Sequence, residues 1–210
     1  MSSLKHYPLG ASVSNSPHSV TTCLPTMADV IGYEEKKPRV MQAMSAGYPR
    51  FLRHRWIEEL LIFYLDREVL TSSAAVLIPS RRASQKLVDR VDGKAQMLAV
   101  EDGLYMVYLN ESFDLDPNEI YRYVQHVGCG ISSRQAEDLL HTYGLLESIY
   151  KEDSASGNAE VQVETKLALL LNCRKEDVLL CASGMNAFYA GFKAVQAAQM
   201  RRGRTQWLQL

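Results

Sequence analysis

From Arg55 to Arg67 the apolar residues Trp56, Leu60, Phe63 and Tyr64 recur at helical spacing, which predicts a helix with one buried face. Ala74 to Ile78 is a short β-prone run that stops at Pro79, and Ser80 then opens a helix through Val91 with Leu87 and Val88 facing inward. Gln96 to Leu109 reads as a hairpin, because Glu101-Asp102-Gly103 separates two apolar runs. Asp116-Pro117 starts a further helix: Asp116 can cap it, and proline at the first helical position costs no hydrogen bond. Ser132 followed by Gln135 is a capping-box pattern for a helix to Tyr143, which Gly144 ends.

The most regular pattern lies in the last third. Glu160 to Asn172 predicts a helix with Val163, Leu167, Leu170 and Leu171 on one face. Val178-Leu179-Leu180-Cys181, within Asp177 to Ala182, predicts a buried strand. Ser183-Gly184-Met185 is a sharp turn, Asn186 to Arg201 a long helix, and Thr205 to Leu210 the start of another strand. That order predicts a parallel sheet covered by helices. A chain stopping within a strand leaves ladder groups unpaired, so the sequence is expected to be a fragment. Residues 1 to about 26 read as an extended arm, and Met27 to Gly47 as irregular, with Pro38 breaking any long helix.

Composition narrows the class. The 210 residues are 47% hydrophobic and 22% charged, with a formal net charge of −1, which fits a soluble globular protein and gives no field favouring nucleic acid or membrane. No apolar run is long enough to span a bilayer, and residues 1–22 lack the pattern of a secretory signal. Cys23, Cys129, Cys173 and Cys181 form no C-x-x-C pair, so no metal site is expected, and free thiols suggest a reducing, cytoplasmic setting.

The candidate chemistry is at Cys181-Ala182-Ser183-Gly184-Met185-Asn186-Ala187. A strand entering a helix through a glycine turn presents unpartnered N–H groups at a positive dipole end, which suits an anion. Gly184 lets a phosphate approach its backbone closely. On the residues alone, a tight turn with no ligand remains an open alternative.

The segment from Glu164 to Val195, ETKLALLLNCRKEDVLLCASGMNAFYAGFKAV, resembles the cofactor-phosphate unit of the cystathionine γ-synthase, cystathionine lyase and methionine γ-lyase family. Upstream, CLPTMADVIGYEE, GYPRFLRH and GISSRQAEDLL resemble the fungal-type cystathionine γ-synthases with a long N-terminal extension. The resemblance implies a three-layer α/β sandwich, the start of a type I pyridoxal-phosphate (PLP) transferase fold, with residues 1–150 as an N-terminal extension and 151–210 as the beginning of the PLP-binding domain. It implies PLP as cofactor, a small amino-acid substrate, a homo-oligomer, and phosphate contacts from Ser183, Gly184 and Met185.

The family's Tyr-x-Arg phosphate clamp departs from its usual place: Asp153 and Ala155 stand where Tyr and Arg should be. Tyr48-Pro49-Arg50 has the right spacing and precedes AAVLIPSRRAS, which parallels EDVLLCASGMNA, so Tyr48 and Arg50 are the candidate clamp. The implied reaction is γ-replacement on an activated homoserine ester to give cystathionine, with the Schiff-base lysine expected beyond residue 210. The rivals are an O-acylhomoserine sulfhydrylase or γ-lyase and, in a different class, a non-catalytic PLP-fold interaction domain.

Overall fold

The structure is a computed structural model that describes residues 7–14, 16–45, 47, 52–109, 115–153 and 156–206. The arm before residue 27 carries one isolated bridge, Ser12 to Thr22, and is followed by two short helices, α1 (Met27–Glu34) and α2 (Pro38–Ala43). This corrects the irregular reading of 27–47. Thr26 and Asp29 form a full capping box for α1, and Pro38 sits in the first turn of α2, where its missing N–H has no partner to lose.

Helix α3 (Arg55–Arg67) buries Trp56, Leu60, Leu61 and Tyr64, while Phe63 is partly buried. Strand β1 (Ala75–Ile78) leads into α4 (Arg81–Arg90), whose N-cap Ser80 accepts from the Ala83 N–H at 3.2 Å. The hairpin is present as β2 (Ala95–Glu101) and β3 (Leu104–Leu109), with a register shift between Ala99 and Glu101. Helices α5 (Asn118–Val127) and α6 (Ser133–Thr142) follow, the latter capped by Ser132, which accepts from the Gln135 N–H at 3.1 Å.

The sheet order is β1-β3-β2, and both pairings are antiparallel, the β2–β3 pair as the hairpin pattern implied; the parallel sheet expected from the order of elements in the last third does not form among the described residues. Side chains alternate across it. Ala75, Leu77, Val100, Leu104 and Met106 join α3 and α6 in one cluster; Ala74, Val76, Ile78, Ala95, Val107 and Leu109 join α4 and α5 in the other. A two-residue period with both faces covered requires apolar residues at odd and even positions alike, which is why β1 is buried throughout. The outer edge of β1 receives the Ile131 N–H on Leu77 O at 3.1 Å.

Two polar clusters fasten the edges. Glu101 accepts from Tyr64 and Arg67, each at 3.3 Å, and from the Tyr143 hydroxyl, joining the ends of α3 and α6 to the hairpin. On the opposite side the arm is pinned by His18, whose Nε2 lies 3.0 Å from the buried Glu137 carboxylate and whose Nδ1 lies 3.0 Å from Ser133 Oγ. Glu137 also accepts from the Tyr150 N–H at 2.8 Å.

The last third departs most from the sequence pattern. Helix α7 (Ala159–Leu171) forms, but Val163, Leu170 and Leu171 are exposed, and Ala168 is its buried residue. Val178 to Cys181 forms no strand: a 3-10 turn (Lys175–Asp177) leads into an unpaired extended segment with Leu179 86% exposed and Cys181 exposed. An apolar run becomes a strand only where a neighbour accepts its backbone bonds, and the β1 edge already takes the Ile131 N–H. Helix α8 (Gly184–Met200) follows as expected. Thr205 and Gln206 are not in a strand, and 207–210 lie outside the described residues.

His54 caps α3 by accepting the Trp56 N–H on Nδ1, and its Nε2–H donates to Pro17 O at 2.8 Å. Burial holds this imidazole below its usual value of 6.5, against the opposing bond to Pro17. Its contribution to stability is therefore complete above 6.5 and is lost as pH falls from there through the lowered folded value. Denaturant midpoints should drop across that range, and His54→Asn, which keeps a cap acceptor without titrating, should flatten the drop. A midpoint that rises on acidification would contradict this assignment.

Candidate functional site

The predicted phosphate turn forms the start of α8. Ser183 is extended and caps the helix, its Oγ accepting the Asn186 N–H at 3.1 Å. The same hydroxyl donates to Gly128 O at 3.1 Å, and Asn186 Nδ2 donates to Val127 O at 3.2 Å. Those carbonyls end α5, so the negative end of one helix dipole meets the positive end of another. Gly128 makes this contact: its φ is +67°, and a Cβ there would lie 2.3 Å from Ser183 Oγ and 2.7 Å from the Asn186 nitrogen.

Gly184 presents the opposite situation. A Cβ built on it meets nothing within 4 Å, so the side-chain position at the start of α8 is open. Gly184 and Met185 are the first two residues of α8. The Ser183 hydroxyl, with both its donor and acceptor engaged, is a structural cap in this arrangement. Bound with its phosphate at this helix start, PLP would supply an aromatic electron sink for amino-acid chemistry.

Tyr48 and Arg50 lie outside the described residues, as does Ala155. Asp153 is exposed in the loop before α7. Neighbouring Glu152 is taken by Arg134, whose Nε and Nη2 reach it at 2.5 and 2.6 Å and hold its carboxyl below the usual range. Ser132 caps α6, as its pattern implied, and His126 sits in the last turn of α5.

Beside the turn, the first turns of α4 and α8 and the end of α5 enclose a cleft of about 230 Å³. Ser80, Arg82 and Lys86 line it from α4, Tyr123 and Val127 from α5, and Asn186 and Tyr189 from α8. The sequence pattern did not single out Arg82 and Lys86; the available signal was a pair of cations four residues apart on a capped helix. Cys129 also borders the cleft, and burial pushes its thiol up to about 11. Among the described residues no cluster of His, Cys, Asp and Glu is arranged to hold a metal, and no helix is long and apolar enough to cross a membrane.

Gly128→Ala should loosen the α5–α8 contact. Left-handed backbone costs an L-residue about 1–2 kcal/mol, and here the added methyl also strikes Ser183. Gly93→Ala is the control, with φ +74° and open space around its Cβ. Chemical denaturation should show the larger loss for Gly128→Ala. Cys129 should react with iodoacetamide at neutral pH far more slowly than the exposed Cys173 and Cys181, as read by mass spectrometry of labelled peptides, because a thiol held near 11 offers little thiolate.

No family model and no solved structure matches the chain. Curated relatives do. An L-2-amino-4-chloropent-4-enoate dechlorinase/desaturase of Streptantibioticus cattleyicolor is 31% identical over 201 residues, 94% of this chain and 40% of the relative. The cystathionine γ-synthases of Neurospora crassa and Saccharomyces cerevisiae are 28% and 25% identical, over 70% and 71% of this chain and 28% and 26% of their own lengths. The chain thus spans less than half the length of these curated relatives. Over 94% of its residues the chain is similar to the dechlorinase/desaturase, and over 70–71% to the cystathionine γ-synthases, a likeness consistent with a stretch of the pyridoxal-phosphate-dependent cystathionine γ-synthase family.

Proposed function

We propose that this chain serves PLP-dependent chemistry at the γ-carbon of an amino acid. The carrying observation is the alignment of nearly the whole chain with a relative whose named substrate bears chlorine on carbon 4, together with relatives named cystathionine γ-synthase. Carbon 4 of such an amino acid is the γ-carbon, so both names describe a leaving group expelled from one position. The preferred reaction is γ-replacement: an activated homoserine ester and cysteine give cystathionine, in a cytoplasmic homo-oligomer.

In this reading residues 1–150 form the extension and 151–210 begin the cofactor domain. The amides of Gly184 and Met185 hold the cofactor phosphate, a reading supported by the Ser-Gly-Met resemblance and by their place at the start of α8. Ser183 sets the direction of those amides by tying α8 to Gly128. Tyr48 and Arg50 remain the proposed clamp, since a planar guanidinium binds phosphate oxygens in pairs. The Schiff-base lysine is assigned to residues other than these 210, none of whose lysines lies in a matching context.

A second reading, γ-elimination without a replacing nucleophile, is favoured by the identity and coverage of the dechlorinase/desaturase alignment. Mass spectrometry of products formed from an activated homoserine ester by a protein in which this stretch is joined to the lysine-bearing part, with cysteine present or omitted, separates the two: cystathionine marks replacement and a keto acid marks elimination. Borohydride reduction of the 210-residue chain with PLP tests the lysine assignment. No single lysine should acquire a stoichiometric pyridoxyl group; one that does would place the Schiff base here and overturn it.

A further inference from the structure

The cleft between α4 and α8 has a chemistry that the turn at Ser183 does not account for. Ser183, Gly184 and Met185 are absent from its lining. Its charged groups are Arg82 and Lys86, with no acidic side chain among the lining residues. Among the described residues neither cation makes an ion pair or hydrogen bond, although α4 offers Asp89, which bonds Gln85 instead. Two like charges at i and i+4 repel along a helix face. Here they repel at the mouth of a largely apolar recess, where a bound dianion relieves both.

We propose that this cleft binds a small organic phosphate, its phosphoryl group between Arg82 and Lys86 and its apolar body against Tyr123, Val127 and Tyr189. A phosphate monoester carries about −1.5 to −2 at neutral pH, which matches two cations where a carboxylate matches one. The volume, about 230 Å³, admits a phosphate with a single ring. Few polar groups at one end of an apolar recess is the usual composition of a small-molecule site. Asn186 and Tyr189 bring α8 to the cleft, so an occupant touches both the sheet unit and the terminal helix. The inference goes beyond the cofactor reading, because it uses a different face of α8.

The test is calorimetric titration of the 210-residue chain with phenyl phosphate, inorganic phosphate, phenol and PLP. Phenyl phosphate should bind more tightly than inorganic phosphate, and phenol should not bind measurably. Arg82→Ala and Lys86→Ala, on the solvent side of α4 in a residue type that favours helix, should each weaken phenyl phosphate about tenfold or more. Gly184→Ala should leave its affinity unchanged, since the added methyl meets no atom in the fold and fills only the space beside the turn. Loss of binding in Gly184→Ala with retention in Arg82→Ala and Lys86→Ala would place the phosphate on the turn and overturn the proposal. Absence of heat with phenyl phosphate, or equal binding of phenol, would also overturn it. PLP that competes with phenyl phosphate identifies the cofactor as one source of the shared phosphate chemistry. PLP that binds without competing, and is lost in Gly184→Ala, leaves the cleft to a different phosphate ester.

Discussion

Strand β3 sends its side chains alternately into two separate apolar clusters, so neither face of the sheet can be left to water. Leu104 and Met106 require α3 and α6 on one side; Val107 and Leu109 require α4 and α5 on the other. The direction of α5 follows from that demand, and with it the position of its last carbonyls. Those carbonyls receive Ser183 and Asn186. The start of α8 is thus aimed by the burial pattern of a strand roughly eighty residues earlier in the chain, through one glycine that permits the contact.

The arrangement divides the work expected of the family between two kinds of structure. The sheet unit is well buried and cross-braced by Glu101 and by the His18–Glu137 contact. The terminal unit, from α7 to α8, carries the proposed phosphate turn yet keeps large apolar side chains in solvent, among them Leu169, Leu179 and Phe188.

What was legible in the sequence was local. Ser80 and Ser132 announce helix starts through bonds to residues three positions away, and Gly103 marks a hairpin turn by its left-handed backbone, φ +72°. Pro38 misled because a proline that breaks a helix interior also begins one, and the Thr26–Asp29 box was equally visible and unread. Val178 to Cys181 misled for a different reason: apolar character records a tendency to be buried, while a strand also needs a partner edge. The antiparallel pairing of β1 with β3 and the meeting of His18 with Glu137 join residues far apart in sequence, beyond any short window. At the candidate site the turn was readable from its serine and glycine. The cleft was not, because its basic wall and its aromatic wall come from three helices.

The sparse burial of α7 has a consequence for motion. Ala168 is its buried residue, and its ends are closed by its own neighbours, Asn158 at the start and a left-handed Asn172 at the finish. A 13-residue helix is near the length at which an isolated helix is marginal in water. Its amide protons therefore exchange with solvent at a rate governed by local fraying, while those of β3 wait for the whole sheet to open. Two segments of one chain thus sit at opposite ends of the protection scale, and whatever packs over α7 sets how long its hydrogen bonds persist.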